Sequence, residues 1–358
     1  MKQLFSPVAF VHGPAMPNRF MLAPLTTTQS PDDGTAPEDD LRWLTACARG
    51  GFGLTLTGAA HVQEQGRAFP GQLGIFSDAH MAGLSRLAEA IKAADSLALV
   101  QLHHAGRRAP AALTGTAPVG PSDDAESGTR ALSTAEVEAV VEDFVTAAGR
   151  AQRAGFDGIE VHGAHGYLVA QFLSAEMNRR TDRYGGPLEN RARLLFDIVA
   201  GIRGRCGAGF IVAVRLSPER FGMRLAEMRA VAQRLLREGQ IDLLDMSLWD
   251  VFKEPQEEEF QGRSLLSCFT ELDRGAVPLA VAGKIRSGRD AVRCLEAGAD
   301  VIVVGRAAIL HPDFPQRVAE DPDFEAVAPP VTADYLRGNG LGEAFIGFLR
   351  DRWEFVQE

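Results

Sequence analysis

Two histidines three residues apart carry the clearest chemical signal in the sequence. His162 and His165 lie in the segment HGAHGY, and Tyr167 follows two residues later. The pair is open to three interpretations: a metal site, two packed rings, or two imidazole N–H donors. A metal ion would normally need a third ligand, and no carboxylate or cysteine is obviously placed to supply it. The spacing therefore favours a donor pair that binds a carbonyl oxygen and stabilises the charge that develops there.

Tyr167 would serve as a general acid beside such a pair. A tyrosine hydroxyl has an ordinary pKa of about 10, so it keeps its proton at neutral pH until a carbanion accepts it. Without the histidines, the same tyrosine would be interpreted as a packed aromatic side chain.

The elements that must position these side chains appear as apolar runs that alternate with segments of helical period. The runs predicted as buried strands are 20–23, 54–58, 97–102, 157–162, 210–216, 242–247, 278–282 and 300–304. The segments predicted as helices are 38–49, 78–94, 134–154, 189–205, 225–238, 264–274, 288–297 and 313–320. Strict alternation implies parallel strands joined by crossover helices. The predicted fold class is therefore α/β, a single-domain (β/α)8 TIM barrel over residues 1–358.

Residues at the predicted helix ends agree with this arrangement. Ser133 and Glu136 have the spacing of a capping box, in which each side chain binds a free backbone N–H group of the other. Gly155, Gly239 and Gly298 come just after helix ends, where a left-handed residue is favoured. No Gly-x-Gly-x-x-Gly follows the first strand, which counts against a dinucleotide-binding fold.

Two connections are longer than a barrel needs. Residues 103–133 and 163–188 are predicted to be lids or ordered subdomains over a site. The polar stretch 253–263 is interpreted as a solvated loop. A C-terminal tail from about 331 ends in an amphipathic helix over 341–355.

Nearly every predicted strand ends in a polar residue or a glycine. These ends carry Pro24-Leu25-Thr26, Gly58, Gln101, His162, Arg215, Ser247, Gly283-Lys284 and Gly305-Arg306. Active sites of such barrels lie at the carboxyl ends of the strands, so the pattern indicates one continuous site. Arg215 and Gln101 end apolar runs, and each therefore needs a polar partner, such as flavin ring atoms or, for Arg215, a carboxylate. Gly305-Arg306 suits a phosphate, although a turn glycine beside a surface arginine explains the pair equally well.

Composition excludes several classes of protein. The 37 basic and 47 acidic residues give a net charge of −10, which argues against a nucleic-acid partner. The four cysteines form no Cys-x-x-Cys pair, so an iron–sulfur cluster or a structural zinc has no support. No apolar run is long enough to span a membrane, and a cytoplasmic protein is expected.

Four segments together resemble the Old Yellow Enzyme family. They are NRFMLAPLTT (18–27), VQLHHAGRR (100–108), HGAHGYLVAQFLSAEMNRRTDRYGGPLENRARLLFDIV (162–199) and DVIVVGRAAILHPDFP (300–315). The resemblance spans nearly the whole chain. It implies non-covalent FMN at the strand ends, NADPH or NADH as reductant, and an electron-poor alkene or carbonyl compound as substrate. A homodimer or a higher homo-oligomer is left open.

The resemblance also implies roles for individual residues. The residues implied to bind FMN are Ala23, Pro24, Leu25, Thr26, Gly58, Gln101, Arg215, Gly283, Lys284, Gly305 and Arg306. Within this set, Gly58 and Gln101 would contact the pyrimidine part of the ring and Arg215 its N1/O2 side. Gly305 and Arg306 would hold the phosphate. The residues implied to contact the substrate are His162, His165, Tyr167, Thr28 and Trp249. Those implied to be a structural signature are Asn178, Arg180, Asp182, Tyr184, Gly185 and Gly186.

The sequence departs from the family pattern at three places. Thr26 stands where the thermophilic-like branch has cysteine, although the histidine pair and AGRR resemble that branch, so the subclass is undecided. Thr28 stands where many relatives have a tyrosine. SLWDVFKEP (247–255) replaces a shorter loop. Two alternatives remain at this level: a metal-dependent hydrolase or lyase on a TIM barrel, and a non-catalytic flavin-binding protein.

Overall fold

Eight parallel strands close into a barrel in the computed structural model, which describes residues 1–357. The strands are β1 (Phe20–Leu22), β2 (Leu54–His61), β3 (Leu97–His103), β4 (Gly158–Gly163), β5 (Ile211–Leu216), β6 (Leu243–Ser247), β7 (Leu279–Ala282) and β8 (Val301–Val304). Each strand pairs with its neighbours in chain order, and β8 returns to β1 with Ile302 beside Phe20. The predicted (β/α)8 TIM barrel is confirmed.

Helices cover the outside of the barrel. They are α1 (Glu38–Arg49), α2 (Met81–Lys92), α3 (Thr134–Arg153), α4 (Leu188–Cys206), α5 (Leu225–Glu238), α6 (Ser267–Thr270), α7 (Gly288–Glu296) and α8 (Phe314–Glu320). The strands are buried on both faces, and each full-length helix buries one apolar face against them. In α3, for example, Val137, Val140 and Phe144 face the barrel.

The predicted helix ends are confirmed by their hydrogen bonds. The Ser133 hydroxyl accepts from the Glu136 N–H at 3.2 Å, and the Glu136 carboxylate accepts from the Ser133 N–H at 2.7 Å. Gly155, Gly239 and Gly298 have φ angles of 93°, 66° and 98°, in the left-handed region that ends a helix without a Cβ clash.

The predicted helix over 264–274 is wrong in its extent, because only Ser267–Thr270 is helical. The Ser264 hydroxyl accepts from the Ser267 N–H at 3.2 Å, and the Ser267 hydroxyl donates to the Ser264 carbonyl at 2.7 Å. These local bonds give the backbone an alternative to a longer helix.

Strand β2 is longer than predicted and contains an irregularity that matters for the site. Its register with β3 pairs Leu56 with Leu99 and then Ala59 with Gln101, so Thr57 and Gly58 together face one residue. This bulge places Ala59, rather than Gly58, on the inner surface near Gln101.

The two long connections are ordered and packed on each other. Residues 103–133 contain a short helix, Ala111–Thr114, and a two-stranded pair, Val119–Gly120 with Arg130–Ala131. Residues 163–188 contain the buried helix Leu168–Leu173. Arg180 joins the two by donating to the carbonyls of Leu132 and, at 3.0 Å, of Pro121. The tail helix is confirmed, as Glu343–Trp353.

Within residues 1–357, no helix is long and apolar enough to cross a membrane. The four cysteines are buried and free of disulfide bonds.

Candidate active site

A cavity of about 1430 Å³ opens at the carboxyl ends of the strands. Most of the predicted site residues line it: Ala23, Pro24, Leu25, Thr26, Gln101, His162, His165, Tyr167, Arg215, Trp249, Gly283, Lys284, Gly305 and Arg306. Two predicted residues do not line it. The Thr28 hydroxyl donates to the adjacent Thr27 carbonyl at 2.7 Å and lies 3.2 Å from the Ala344 carbonyl of the tail helix. A Cβ on Gly58 would lie 2.8 Å from the Leu25 carbonyl oxygen.

The two histidines meet above the end of β4. His162 Nδ1 accepts from the Ala164 N–H at 3.2 Å, so the neutral ring carries its proton on Nε2. That nitrogen lies 3.3 Å from His165 Nδ1, and the other His165 nitrogen, Nε2, lies 2.8 Å from the Ser247 hydroxyl oxygen. Burial lowers the pKa of His162 well below its ordinary value and that of His165 to about 3. Both rings are therefore neutral N–H donors at neutral pH.

The backbone of His165 is held in an uncommon conformation. Its φ of 59° lies in the left-handed region, which costs free energy for a residue with a Cβ. The Ser217 hydroxyl accepts from the His165 N–H at 3.0 Å, and Arg108 donates to the His165 carbonyl at 2.7 Å. These two contacts fix the ring beside His162.

Tyr167 packs edge-on against two of the histidines. Its ring centroid is 4.3 Å from that of His103 and 5.2 Å from that of His162. The Arg108 guanidinium covers the ring at 4.5 Å from its centroid. Tyr167 lines the cavity and is partly exposed there, so its hydroxyl is open to a bound molecule.

The floor of the cavity is polar and fully buried. Gln101 donates to Glu160 at 2.7 Å, and Arg215 Nε lies 3.1 Å from a carboxylate oxygen of Asp245. The partner that Arg215 needed is thus a carboxylate. Sequence reasoning missed Glu160 and Asp245, although a charged residue inside each apolar run, two positions before His162 and Ser247, was a usable signal.

The opposite end of the cavity is cationic. Gly305 precedes the short helix Arg306–Leu310, and Arg306 is exposed with no ion pair among residues 1–357. Lys284 lies 3.0 Å from the carboxylate of Asp250. A Cβ on Gly283 would lie 2.8 Å from the Asp250 backbone nitrogen, so the loops after β6 and β7 can approach this closely only because residue 283 is glycine.

These donors fit FMN. A cavity lined by the polar groups of Gln101 and Arg215 and by the cationic groups of Lys284 and Arg306 suits a planar heterocycle that carries a phosphate. Among residues 1–357, no group of three His, Cys, Asp or Glu side chains is arranged to hold a metal ion.

Three residues lie at the cavity mouth, and the sequence indicated only one of them, Trp249, and not Arg220 or Phe221. Trp249 is 41% exposed, with its ring centroid 5.8 Å from that of His165. Arg220 stacks on Trp249 at 4.6 Å, and Phe221 follows it. All three have positive φ angles, between 55° and 75°, which is a common feature of loops at functional sites. Trp353 and Phe355 of the tail also line the cavity, and no local sequence pattern indicates this.

Comparison with known proteins agrees with this geometry. The model of the NADH:flavin oxidoreductase / NADH oxidase family matches residues 3–323. The chain is 36% identical over 330 residues to the probable NADH-dependent flavin oxidoreductase YqiG of Bacillus subtilis (strain 168), covering 89% of this chain and 88% of that protein. It is 33% identical over 341 residues to an NADPH dehydrogenase of the same organism, covering 94% and 99%.

Solved structures give the same result. The old yellow enzyme homologue from Zymomonas mobilis superposes with a TM-score of 0.79 at 29% identity, covering 93% of this chain and 96% of that one. Morphinone reductase in complex with tetrahydroNAD gives a TM-score of 0.79 at 30% identity, covering 96% of both chains. The chain also matches larger proteins, such as the NADH:fumarate oxidoreductase of Klebsiella pneumoniae (strain 342), of which it spans only 36%.

The comparisons decide between the alternatives that the sequence left open. A metal-dependent hydrolase or lyase and a non-catalytic flavin-binding protein are both set aside by the family match and by relatives named as an NADH-dependent flavin oxidoreductase and an NADPH dehydrogenase. The chain belongs to the NADH:flavin oxidoreductase / NADH oxidase family, which includes the old yellow enzymes, and is an oxidoreductase that uses FMN with NADH or NADPH as reductant.

Proposed function

We propose that this enzyme reduces carbon–carbon double bonds activated by a carbonyl or a similar electron-withdrawing group. When bound, FMN supplies the hydride, which it has received from NADH or NADPH. The observation that carries the proposal is the grouping of two neutral histidines and a tyrosine at one wall of the cavity, with the His162 and Tyr167 ring centroids 5.2 Å apart.

The histidines would bind the activating oxygen. His162 would donate its Nε2–H to an oxygen that lies beside the line joining this nitrogen to His165 Nδ1, 3.3 Å away. His165 can present Nδ1–H to the same point if its Nε2 accepts a hydrogen bond from the Ser247 hydroxyl. An oxygen that accepts from both would have its developing negative charge stabilised by two fixed donors.

Tyr167 would deliver the proton that completes the reduction. Its ring is held by His103 and Arg108, while its hydroxyl remains open to the cavity. A general acid must reach the atom that it protonates, and Tyr167 lies on the same loop as the histidines, two residues after His165. The carbon next to the activating group would therefore receive its proton from this side chain.

The remaining cavity residues would hold the cofactor. Ala23 to Thr26 would line the ring, and Gln101 and Arg215 would bind its pyrimidine part. Gly283, Lys284, Gly305 and Arg306 would hold the phosphate. Gly58 would act indirectly, by letting the Leu25 carbonyl approach β2, and Trp249 would line the substrate side. A direct role for Thr28 gains no support, because it does not line the cavity and its hydroxyl donates to the Thr27 carbonyl at 2.7 Å.

Anaerobic reoxidation kinetics test the proposal. Enzyme reduced with NADPH or NADH is mixed with enones, nitroalkenes and quinones, and the return of flavin absorbance is followed. Reoxidation by enones with formation of the saturated ketone is expected. Rapid reoxidation by quinones with no turnover of any activated alkene would overturn the proposal while leaving the oxidoreductase assignment in place.

A further inference from the structure

Two buried carboxyl groups, those of Glu160 and Asp245, belong to the polar floor of the cavity but do not line it. Glu160 is two residues before His162 on β4, and Asp245 is two residues before Ser247 on β6. Side chains two apart on a strand face the same side, so both carboxyl groups point into the barrel below residues that line the site. Both residues are 0% exposed. No step proposed above uses either group.

The contacts of the two groups are incomplete. Glu160 Oε1 accepts from Gln101 at 2.7 Å, but Glu160 Oε2 has no hydrogen-bond partner within residues 1–357. Asp245 Oδ2 lies 3.1 Å from Arg215 Nε, but this ion pair lacks hydrogen-bond geometry, so neither Asp245 oxygen nor Arg215 Nε has a hydrogen-bond partner among these residues. The layer thus holds two carboxyl groups and one guanidinium.

Asp242, directly before β6, is a buried carboxyl group whose hydrogen bonds, unlike those of Glu160 and Asp245, are complete. It is also 0% exposed, and its oxygens accept from the Val212 N–H at 2.8 Å, from the His12 N–H at 2.9 Å and from Arg203. Glu160 has one neutral donor and no cation of its own, since Arg215 pairs with Asp245.

Charge decides which group carries a proton. Two ionised carboxylates with one arginine would leave an uncompensated negative charge in a fully buried layer, and a carboxyl group so placed takes up a proton instead. We propose that Glu160 and Asp245 hold a single proton, carried by Glu160, and that neutral Glu160 is a positioning residue that orients Gln101 and leaves Asp245 as the counter-ion of Arg215.

The surroundings of Glu160 agree with this assignment. Burial and the neighbouring Asp245 carboxylate raise its pKa well above the ordinary value, while Arg215 and Gln101 oppose the rise. These are the groups that face it from β6, β5 and β3. His162, one layer above on β4, is neutral and adds no charge. The free Oε2–H of neutral Glu160 can donate to the Asp245 carboxylate.

The arrangement has a consequence for the cofactor, which rests on the proposed position of the FMN ring over Gln101 and Arg215. With Glu160 neutral, the layer beneath the ring has no net charge. Ionised Glu160 would add a negative charge there and make electron uptake by the flavin less favourable. Neutral Glu160 therefore keeps the bound flavin reducible.

Infrared spectroscopy of the flavin-free protein tests where the proton is. Glu160→Gln replaces a neutral acid by an amide of the same shape that can still accept from Gln101 and donate to Asp245. A carbonyl band of a neutral carboxylic acid, present in the wild type at pH 7 and lost in Glu160→Gln, is expected. Asp242→Asn is the matched control and should keep that band. A wild-type-minus-Glu160→Gln difference spectrum that shows only carboxylate bands would overturn the proposal.

The reduction potential of bound FMN gives an independent readout. Glu160→Gln should leave the potential unchanged at pH 7, because no charge is removed. Glu160→Gln with Asp245→Asn should raise it, because Arg215 then faces the reduced, anionic flavin without a counter-ion. A higher potential in Glu160→Gln alone would show that Glu160 is ionised and overturn the proposal. If the double variant does not bind FMN, the infrared result decides. Absence of enone turnover would contradict the proposed function only.

Discussion

At the scale of single residues, Tyr167 is the group whose removal separates the two half-reactions. Tyr167→Phe should bind FMN and accept hydride from NAD(P)H as the wild type does, since the ring contacts with His103 and Arg108 remain. Its reoxidation by enones should slow by roughly 10²–10⁴, the usual contribution of a general acid. Quinones, which need less protonation help, should be affected little. Stopped-flow traces with equal losses for both acceptors would exclude Tyr167 as the proton donor.

Ser247 offers a second test at this scale, because it bonds His165 rather than the substrate. Ser247→Ala removes the hydroxyl 2.8 Å from His165 Nε2, so the ring loses the partner that can place its proton on Nδ1. Binding of phenols, whose oxyanion mimics the polarised oxygen, should weaken by about 0.5–1.5 kcal/mol. His165→Ala should cost more, about 1.5–3 kcal/mol, as a charge-assisted bond is lost. Spectral titration measures both, and tighter phenol binding in Ser247→Ala would contradict the tautomer assignment.

At the scale of elements, the ends of β5 and β8 are expected to bind different parts of the same cofactor. Arg306, after β8, is exposed and has no ion pair among residues 1–357. Arg306→Ala should therefore weaken the binding of FMN by about 1.5–3 kcal/mol and hardly change the binding of riboflavin. Arg215, at the end of β5, lies at the polar floor, so Arg215→Ala should weaken both flavins together.

Fluorescence titration of both variants with both flavins measures this difference. The two substitutions serve as controls for each other, because each removes one guanidinium from the same cavity. Equal weakening of FMN and riboflavin in Arg306→Ala would remove the end of β8 from the phosphate site.

At the scale of the whole molecule, six histidines with lowered pKa values predict loss of stability in mild acid. Burial lowers the pKa of His61 to about 4 and those of His104 and His165 to about 3, and it lowers the pKa values of His103, His162 and His311 as well. The unfolded chain therefore binds more protons than the folded one below pH about 6.5. As the pH is lowered through this range, the free energy of unfolding should decrease by up to about 1.4 kcal/mol per pH unit for each histidine. Glu160 acts in the opposite direction, because its raised pKa makes the folded chain bind one proton more tightly than the unfolded chain does. It offsets the effect of one histidine at most.

Urea unfolding with excess FMN at several pH values between about 7 and 5 measures this slope. His61→Gln should reduce it by up to one proton, since His61 is bonded through Nδ1 to the Leu73 carbonyl and an amide can replace that donor. Stability that rises as the pH is lowered through this range would contradict the neutral state of the buried histidines.

Much of the architecture could be predicted because it depends on local regularities. Apolar runs at regular intervals located all eight strands, and the capping box and the glycines located helix ends, since these depend on neighbouring residues only. The helix over 264–274 failed because two serine hydroxyls bind the backbone within the segment, a competition that periodicity does not reveal.

By itself, the sequence determined the barrel, the histidine pair with its tyrosine, and most residues of the cavity, because each follows a strand end or lies in a contiguous motif. Only the tertiary structure decided how residues distant along the chain meet. It paired Arg215 with Asp245 and Gln101 with Glu160, placed Thr28 outside the cavity and near the tail helix, and brought Trp353 and Phe355 to the cavity. The physical reason is that closing the barrel brings side chains from strands far apart in sequence into one buried layer, and their charges and hydrogen bonds can be balanced only there.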